Sequence, residues 1–339
     1  MNDNIDLIRK IAPEILPLIE KRYDILNTIR YYQPIGRRLL AEKLGIGERN
    51  VRNEIENLKS MGLVTITENG MYIVPEVEDI IENLSHIVYD IKGLVDVQKE
   101  VKSILQAKDV FIVPGDADKN PLVLKEIGKL ASKIILPYLS DIKTIAVTGG
   151  TTVKEVVDSF PKLNYKNILV VPARGGIGQE VEKQANTLAS ELAKKIGGSY
   201  KLLHLPDNMD EEVYKLIIKQ KDIIDVLNDI NRADMLLFGI GNAIEMAKRR
   251  RFDDSLISIL NNVGAIGEIF GYYYNKNREI VYSTTTIGIK LETLKNIKYM
   301  IGVAGGKHKA QAILSLGDIR YQTIFVIDEG IAEEIIRYK

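Results

Sequence analysis

The chain has 339 residues, enough for two or three domains with cores of their own. Its 46 Lys+Arg balance 46 Asp+Glu, so contact with nucleic acid must come from a local basic patch and not from bulk charge. The absence of cysteine excludes disulfides and thiolate zinc sites, and three scattered histidines (His86, His204, His308) are too few for a histidine-based metal site. No apolar run reaches the roughly 18 residues of a membrane span, and Met1-Asn2-Asp3-Asn4-Ile5 lacks the regions of a signal peptide. A soluble cytoplasmic protein is expected, with no membrane partner and no metal.

From Ile15 to Tyr32, apolar residues including Leu18, Ile19, Tyr23, Leu26 and Ile29 keep helical spacing, and Pro34 ends the segment. Arg37 to Val51 then has a helix-turn-helix pattern. Ala41 lets two helices cross closely, Leu44-Gly45-Ile46 supplies the turn, and Val51, Ile55 and Leu58 point inward on the second helix. Arg49, Asn50, Arg52 and Asn53 fall on its outward face, where Arg suits guanine and Asn suits adenine in a major groove. Arg37 and Arg38 complete the candidate DNA contacts. Leu63 to Val74 gives two short strands about Asn69-Gly70, a wing. A helical module with a solvated basic face would share part of this pattern. The appended hairpin, and six Lys/Arg against four Glu in residues 36–60, favour DNA binding by residues 1–75. That modest surplus calls for more than one copy of the module.

Between 76 and 106, Val77, Ile80, Leu84, Ile87, Ile91, Leu94, Val101 and Leu105 step by threes and fours, with Gln98 filling one place. This heptad-like seam suits a helical dimerisation linker, or equally one long helix packed on its own domain. Gly93 weakens it by about 1 kcal/mol relative to Ala.

Residues 107–339 alternate short apolar strands with amphipathic helices. Strands are expected at 110–113, 142–148, 168–172, 200–205, 235–239, 299–304 and 323–327, and helices at 122–139, 181–195, 307–316 and 331–338. That alternation predicts a mostly parallel, Rossmann-like sheet covered on both faces, with ligands held beyond the carboxyl ends of the strands. The glycine-rich loops all follow strands. Ile145-Ala146-Val147-Thr148-Gly149-Gly150-Thr151-Thr152 runs from strand through glycines into a helix with Val153, Val156, Val157 and Phe160 inward. That is either an anion cradle or an ordinary turn with a threonine cap. Arg174-Gly175-Gly176-Ile177-Gly178 leads to a helix entered through Gln184 and Asn186. Gly239-Ile240-Gly241-Asn242 precedes the run Lys248-Arg249-Arg250-Arg251. Val263-Gly264-Ala265-Ile266-Gly267-Glu268 offers a carboxylate, and Gly305-Gly306-Lys307-His308-Lys309 opens a further helix. Each is unremarkable alone. Together they surround a cleft with cations and helix N-termini, as a ligand with phosphate at more than one end requires.

These pieces, in this order, resemble the SorC/DeoR-type sugar-responsive bacterial transcription regulators across essentially the whole chain. Most telling are Val147-Thr148-Gly149-Gly150-Thr151-Thr152, Pro172-Ala173-Arg174-Gly175-Gly176, Gly239-Ile240-Gly241 and Val303-Ala304-Gly305-Gly306-Lys307. The resemblance implies an effector domain with the fold of the sugar-phosphate isomerases and deaminases. It further implies operator DNA as partner, a homo-oligomer (dimer or tetramer), and repression of glycolytic genes relieved by fructose 1,6-bisphosphate. By the same resemblance Gly149, Gly150, Thr151 and Thr152 hold one phosphate, while Arg174, Gln184, Arg250, Glu268 and Lys309 bind the rest. Arg249 is the alternative to Arg250 in that set.

A sugar-phosphate isomerase or deaminase with an added N-terminal module is the rival. Such chemistry needs a placed base and acid, and the related deaminases carry Asp-Gly-His where this chain reads Asn242-Ala243-Ile244. No catalytic residue and no cofactor is therefore expected, only an effector.

Overall fold

The computed structural model describes residues 3–176, 180–205, 211–284 and 287–339. Ile177 and Gly178 of the second glycine-rich loop lie outside them. The chain divides between Val97 and Gln98 into two compact units.

The first unit contains α1 (Asp3–Ile11), α2 (Ile15–Tyr32), α3 (Arg37–Leu44), α4 (Glu48–Ser60), β1 (Val64–Thr67), β2 (Gly70–Ile73), α5 (Glu78–Ile91) and the start of α6 (Leu94–Leu105). Ile25, Leu26 and Ile29 of α2, Leu40 of α3, Val51, Ile55 and Leu58 of α4, and Met71 of β2 form its core. The hairpin joins that core through an Ile35–Met71 bridge and an Ile73 N–H bond to Gln33 Oε1 at 2.8 Å. Thr67 pairs with Gly70, so Glu68 and Asn69 make the turn, one residue earlier than Asn69-Gly70 suggests.

The expected linker helix is two helices. Gly93 adopts a φ of +63°, outside helical geometry, and α5 ends at Ile91. The expected seam also divides: Ile81, Val88 and Ile91 are buried, while Ile80 and Ile87 remain 47% and 40% exposed. The division between units falls inside this segment, within α6.

The second unit follows the predicted alternation. Its elements are β3 (Asp109–Val113), α7 (Leu122–Ile135), β4 (Thr144–Val147), α8 (Thr151–Ser159), β5 (Leu169–Pro172), α9 (Ala185–Ile196), β6 (Ser199–Tyr200), α10 (Glu211–Ile217), α11 (Lys221–Asn231) and β7 (Met235–Gly239). After these come β8 (Gly241–Asn242), α12 (Ala243–Arg249), α13 (Asp254–Asn262), β9 (Gly267–Ile269), β10 (Tyr272–Tyr274), β11 (Ile280–Ser283), α14 (Leu291–Leu294), β12 (Tyr299–Ala304), α15 (Ala310–Ser315), β13 (Thr323–Asp328) and α16 (Glu329–Arg337). Seven strands form one parallel sheet in the order β3-β13-β12-β7-β4-β5-β6. Ile145, Val147, Val170, Leu237 and Val303 are buried in one cluster with Ile127 of α7, Val153 and Val156 of α8, and Leu188 and Leu192 of α9. The alternate residues Ala146, Leu236, Phe238 and Phe325 are buried too, so both faces are covered.

The strand expected at 200–205 shrinks to Ser199–Tyr200. The Asn186 side chain takes both backbone groups of Leu203, at 2.8 and 3.0 Å, in place of a strand partner. A small antiparallel sheet, β11-β10-β9-β8, had no counterpart in the sequence reading. Among the described residues, no helix is long and apolar enough to cross a membrane.

Candidate functional site

In the first unit, α4 buries Val51, Ile55 and Leu58 and turns Arg49, Asn50, Arg52 and Asn53 to solvent; Arg37 and Arg38, opening α3, are exposed as well. All six candidate DNA contacts are thus on the surface. Glu54, on the inner side of α4, was not singled out in the sequence. Its Oε1 accepts from Lys21 Nζ at 3.0 Å and its Oε2 from Arg22 Nε at 3.1 Å, which ties the candidate recognition helix to α2. Burial pushes the Glu54 carboxyl up, and these two cations more than offset it, leaving it below the usual carboxylate range.

In the second unit the loops after β5, β4, β7 and β12 lie side by side, because those strands are neighbours in the parallel sheet. After β4, the Thr148 Oγ1 accepts the Gly239 N–H at 3.1 Å and so ties this loop to the one after β7. Gly150 has a φ of +132°, a conformation that side-chain-bearing residues rarely adopt. Its N–H donates to Lys183 O at 2.9 Å, and a Cβ on Gly149 would lie 2.6 Å from that same carbonyl oxygen. Gln184, at the N-cap of α9, is thereby brought against the Gly149–Thr152 loop. Thr151 and Thr152 open α8. A helix N-terminus presents N–H groups and the positive end of the dipole, so this geometry is competent to hold a phosphate.

A second group forms around Glu268, which is 3% exposed. Its Oε1 accepts from Arg250 Nη2 at 2.8 Å and from the Gly271 N–H at 2.5 Å, and Arg174 Nη1 stands 3.5 Å away. Arg250 Nη1 lies 3.4 Å from the Tyr273 hydroxyl, whose pKa burial pushes up to about 12. Arg174 is itself buried; the chain beside it pairs with Gly288, where a Cβ would meet the Arg174 Cα at 2.6 Å. Arg250 therefore joins Arg174 and Glu268. Arg249 acts instead on Glu180, whose carboxyl it helps to hold down, and on Lys309, whose ammonium it helps to push down by like-charge repulsion.

Lys309 belongs to a third group at the start of α15. Burial pushes its ammonium down, against the pull of Asp328, Glu245 and Asp118. His308 Nδ1 is 2.6 Å from Asp118 Oδ1, and its Nε2 is 3.6 Å from Glu245 Oε2. Asp328, fully buried, organises this end of the sheet. Its Oδ2 accepts the Gly306 and Ala117 N–H groups at 2.7 and 2.8 Å, and its Oδ1 caps α16 through Ile331 at 2.9 Å. Burial pushes the Asp328 carboxyl above its usual range. Asp328 was overlooked; an acid closing an apolar strand directly before a helical pattern was its signal.

Asn242 caps α12, accepting from the Ile244 and Glu245 N–H groups at 3.0 and 3.3 Å. Asn242 thus serves to begin a helix. Among the described residues, no group of three or more His, Cys, Asp and Glu could hold a metal.

A family model described as "Putative sugar-binding domain" matches residues 89–337, and another, described as a CggR N-terminal DNA binding domain, matches residues 18–88. The chain is similar to the Central glycolytic genes regulator of Priestia megaterium, with 40% identity over 339 residues and 99% of each chain covered. It is 38% identical to the regulator of the same name from Bacillus subtilis over 338 residues, again covering 99% of each. Among solved structures, a SorC family transcriptional regulator from Enterococcus faecalis aligns with a TM-score of 0.66 and 34% identity, covering 71% of this chain and 99% of that one.

Proposed function

Because the chain belongs to the SorC/DeoR-type family of sugar-binding transcription regulators, and not to a family of enzymes, we propose that it represses glycolytic genes and that fructose 1,6-bisphosphate releases it from its operator. DNA and a small sugar are its partners; the identity of that sugar is the finer step. The observation that supports it is the placement of a helix start and a pair of arginines beyond the carboxyl ends of the neighbouring strands β4 and β5. One is the Gly149–Thr152 loop at the start of α8, and the other is the Arg174–Arg250 pair. Two phosphates match two ends. The likeness to regulators named for central glycolytic genes supports the target.

In this reading Gly149–Thr152 and Gln184 take one phosphate, Arg174 and Arg250 the other, and Glu268 and Lys309 contact the sugar between. The effector is the sole small-molecule requirement, with no catalytic cofactor. Arg49, Asn50, Arg52 and Asn53 read the operator, assisted by Arg37 and Arg38, in a dimer or tetramer in the cytoplasm. A ligand weakens DNA binding only by preferring a conformation or assembly that fits the operator poorly.

Calorimetric titration with fructose 1,6-bisphosphate, against fructose 6-phosphate and glucosamine 6-phosphate, tests the effector. The bisphosphate should bind tightest, and saturation with it should lower operator affinity. Equal affinity for a monophosphate would remove fructose 1,6-bisphosphate from the proposal. Unchanged assembly and operator affinity at saturation would remove the release mechanism.

A further inference from the structure

Arg250 Nη2 and the Gly271 N–H both donate to Glu268 Oε1, and the Arg174 guanidinium stands 3.5 Å from the same oxygen as a second cation. This is the donor set expected around a phosphate oxygen, yet the anion in it belongs to the protein. All the charged members are well buried: Glu268 is 3% exposed, Arg174 8%, and the Arg250 side chain 11%. Two buried cations held so near each other need an anion.

We propose that Glu268 is a resident counter-anion. In the ligand-free protein its carboxylate fills the place of the effector's distal anionic group, and exchange of one for the other selects doubly anionic sugars. The inference rests on the reading of this cleft as a sugar-phosphate site. A ligand whose far end carries only a hydroxyl cannot replace the carboxylate as partner of two guanidiniums; it leaves Glu268 in place. A terminal phosphate brings two charges and three oxygens, takes over the guanidiniums, and turns the carboxylate toward the sugar hydroxyls, which frees the Gly271 N–H. Because Glu268 lies on β9, which pairs with β8 and β10, only a doubly anionic ligand then disturbs the small antiparallel sheet. Glu268 is thus a selectivity residue that responds to charge at the far end of the sugar.

The test uses the full-length protein and inorganic phosphate as probe, read by thermal midpoint and by calorimetry. Wild type, Glu268→Gln and Glu268→Asp are compared. Each is also placed in a Thr151→Ala/Thr152→Ala background, which silences the other phosphate end. Without phosphate, Glu268→Gln should melt below wild type. Phosphate should restore it, and should bind it at least about ten-fold tighter than wild type in both backgrounds. Glu268→Asp, which keeps the charge, should show no such gain. The inference fails if Glu268→Gln binds phosphate no better than wild type, or if Glu268→Asp gains equally. It also fails if Glu268→Gln folds neither with nor without phosphate, since a replacement anion should restore the site. A phosphate gain in a protein that ignores fructose 1,6-bisphosphate would leave the exchange standing and unseat only the effector's identity.

Discussion

Gly128→Ala sets two known effects against each other. On an exposed helix the change would stabilise by about 1 kcal/mol, through propensity alone. Gly128, however, is buried on α7 where it crosses α8: a Cβ there would lie 2.4 Å from the Glu155 carbonyl oxygen and 2.5 Å from its carbon. Both atoms are backbone, so no side chain can swing aside. Ordinary contact needs about 3.5 Å, and the two helices must part by roughly 1 Å. Overpacking of this kind costs about 1–3 kcal/mol, sometimes more, so the clash should win. We expect the midpoint of the 98–339 unit to fall by several degrees, at about 2–4 °C per kcal/mol for a unit of this size. Since α8 starts at Thr151, effector affinity should fall with it. Circular dichroism melts and calorimetry read both quantities. A midpoint that stays put or rises would mean that propensity prevails, and that close crossing at Gly128 does not position α8.

Thr151→Ala/Thr152→Ala should leave operator binding intact while blunting release. Hydrogen bonds to a charged group are worth about 1.5–3 kcal/mol each, so effector affinity should drop about a hundred-fold or more; loss of both functions together would signal misfolding instead. Arg49→Ala or Asn53→Ala should cost about 1–3 kcal/mol on the cognate operator and relax base preference. Arg37→Ala should weaken all sequences alike and flatten the salt dependence; equal base selectivity in all three variants would refute the assignment. Glu54→Gln tests the clamp on α4. The wild-type carboxyl titrates below its ordinary 4.5 because the Lys21 and Arg22 hydrogen bonds outweigh burial. Its contribution is therefore complete above about pH 4.5 and is lost as pH falls through the lowered value. The wild-type advantage, about 1–2 kcal/mol after discounting for the part-exposed Lys21, should shrink toward zero in acid. A difference independent of pH would assign the effect to packing.

Where signals are local, the fold was legible. Six of the seven predicted strands enter the parallel sheet much as expected, because strands buried on both faces read as apolar runs and glycines mark their ends; the seventh, at 200–205, survives only as the exposed pair Ser199–Tyr200. The expected helix from Ile15 to Tyr32 has the bounds of α2, ended by the Gln33-Pro34 pair. Gly93 shows the opposite case. Its cost of about 1 kcal/mol as a helical residue looked small beside a heptad seam. Instead the chain uses its positive φ to end α5 and start again, and within α5 Ile81 and Val88 are buried while Ile80 and Ile87 are exposed. The small antiparallel sheet was invisible because strands of two to four residues are too short to display a period.

The candidate site divides along the same line. Gly149–Thr152 could be read directly, since a strand, a glycine turn and a helix start are contiguous in the chain. That the loops of Arg174, of the 249–250 arginines and of Glu268 share one cleft is expected from the sequence; that both arginines meet on Glu268 is not, because the three come from separate loops and strands and meet only through tertiary structure. The arginine run makes the point most sharply. Arg249 is the last residue of α12 and Arg250 its C-cap, with φ −83° and ψ 1°. One residue along the chain separates an arginine that only feels the charges of Glu180, which attracts it, and Lys309, which repels it, from one that bonds Glu268 and reaches Tyr273. Which arginine reaches Glu268 follows from where the helix stops, and there the Phe252 N–H reaches back to Ala247 O at 3.0 Å as the chain turns toward α13. A basic run of four in the sequence thus resolves into one buried partner for Glu268 because the backbone turns there, and charge pattern alone carries no such information.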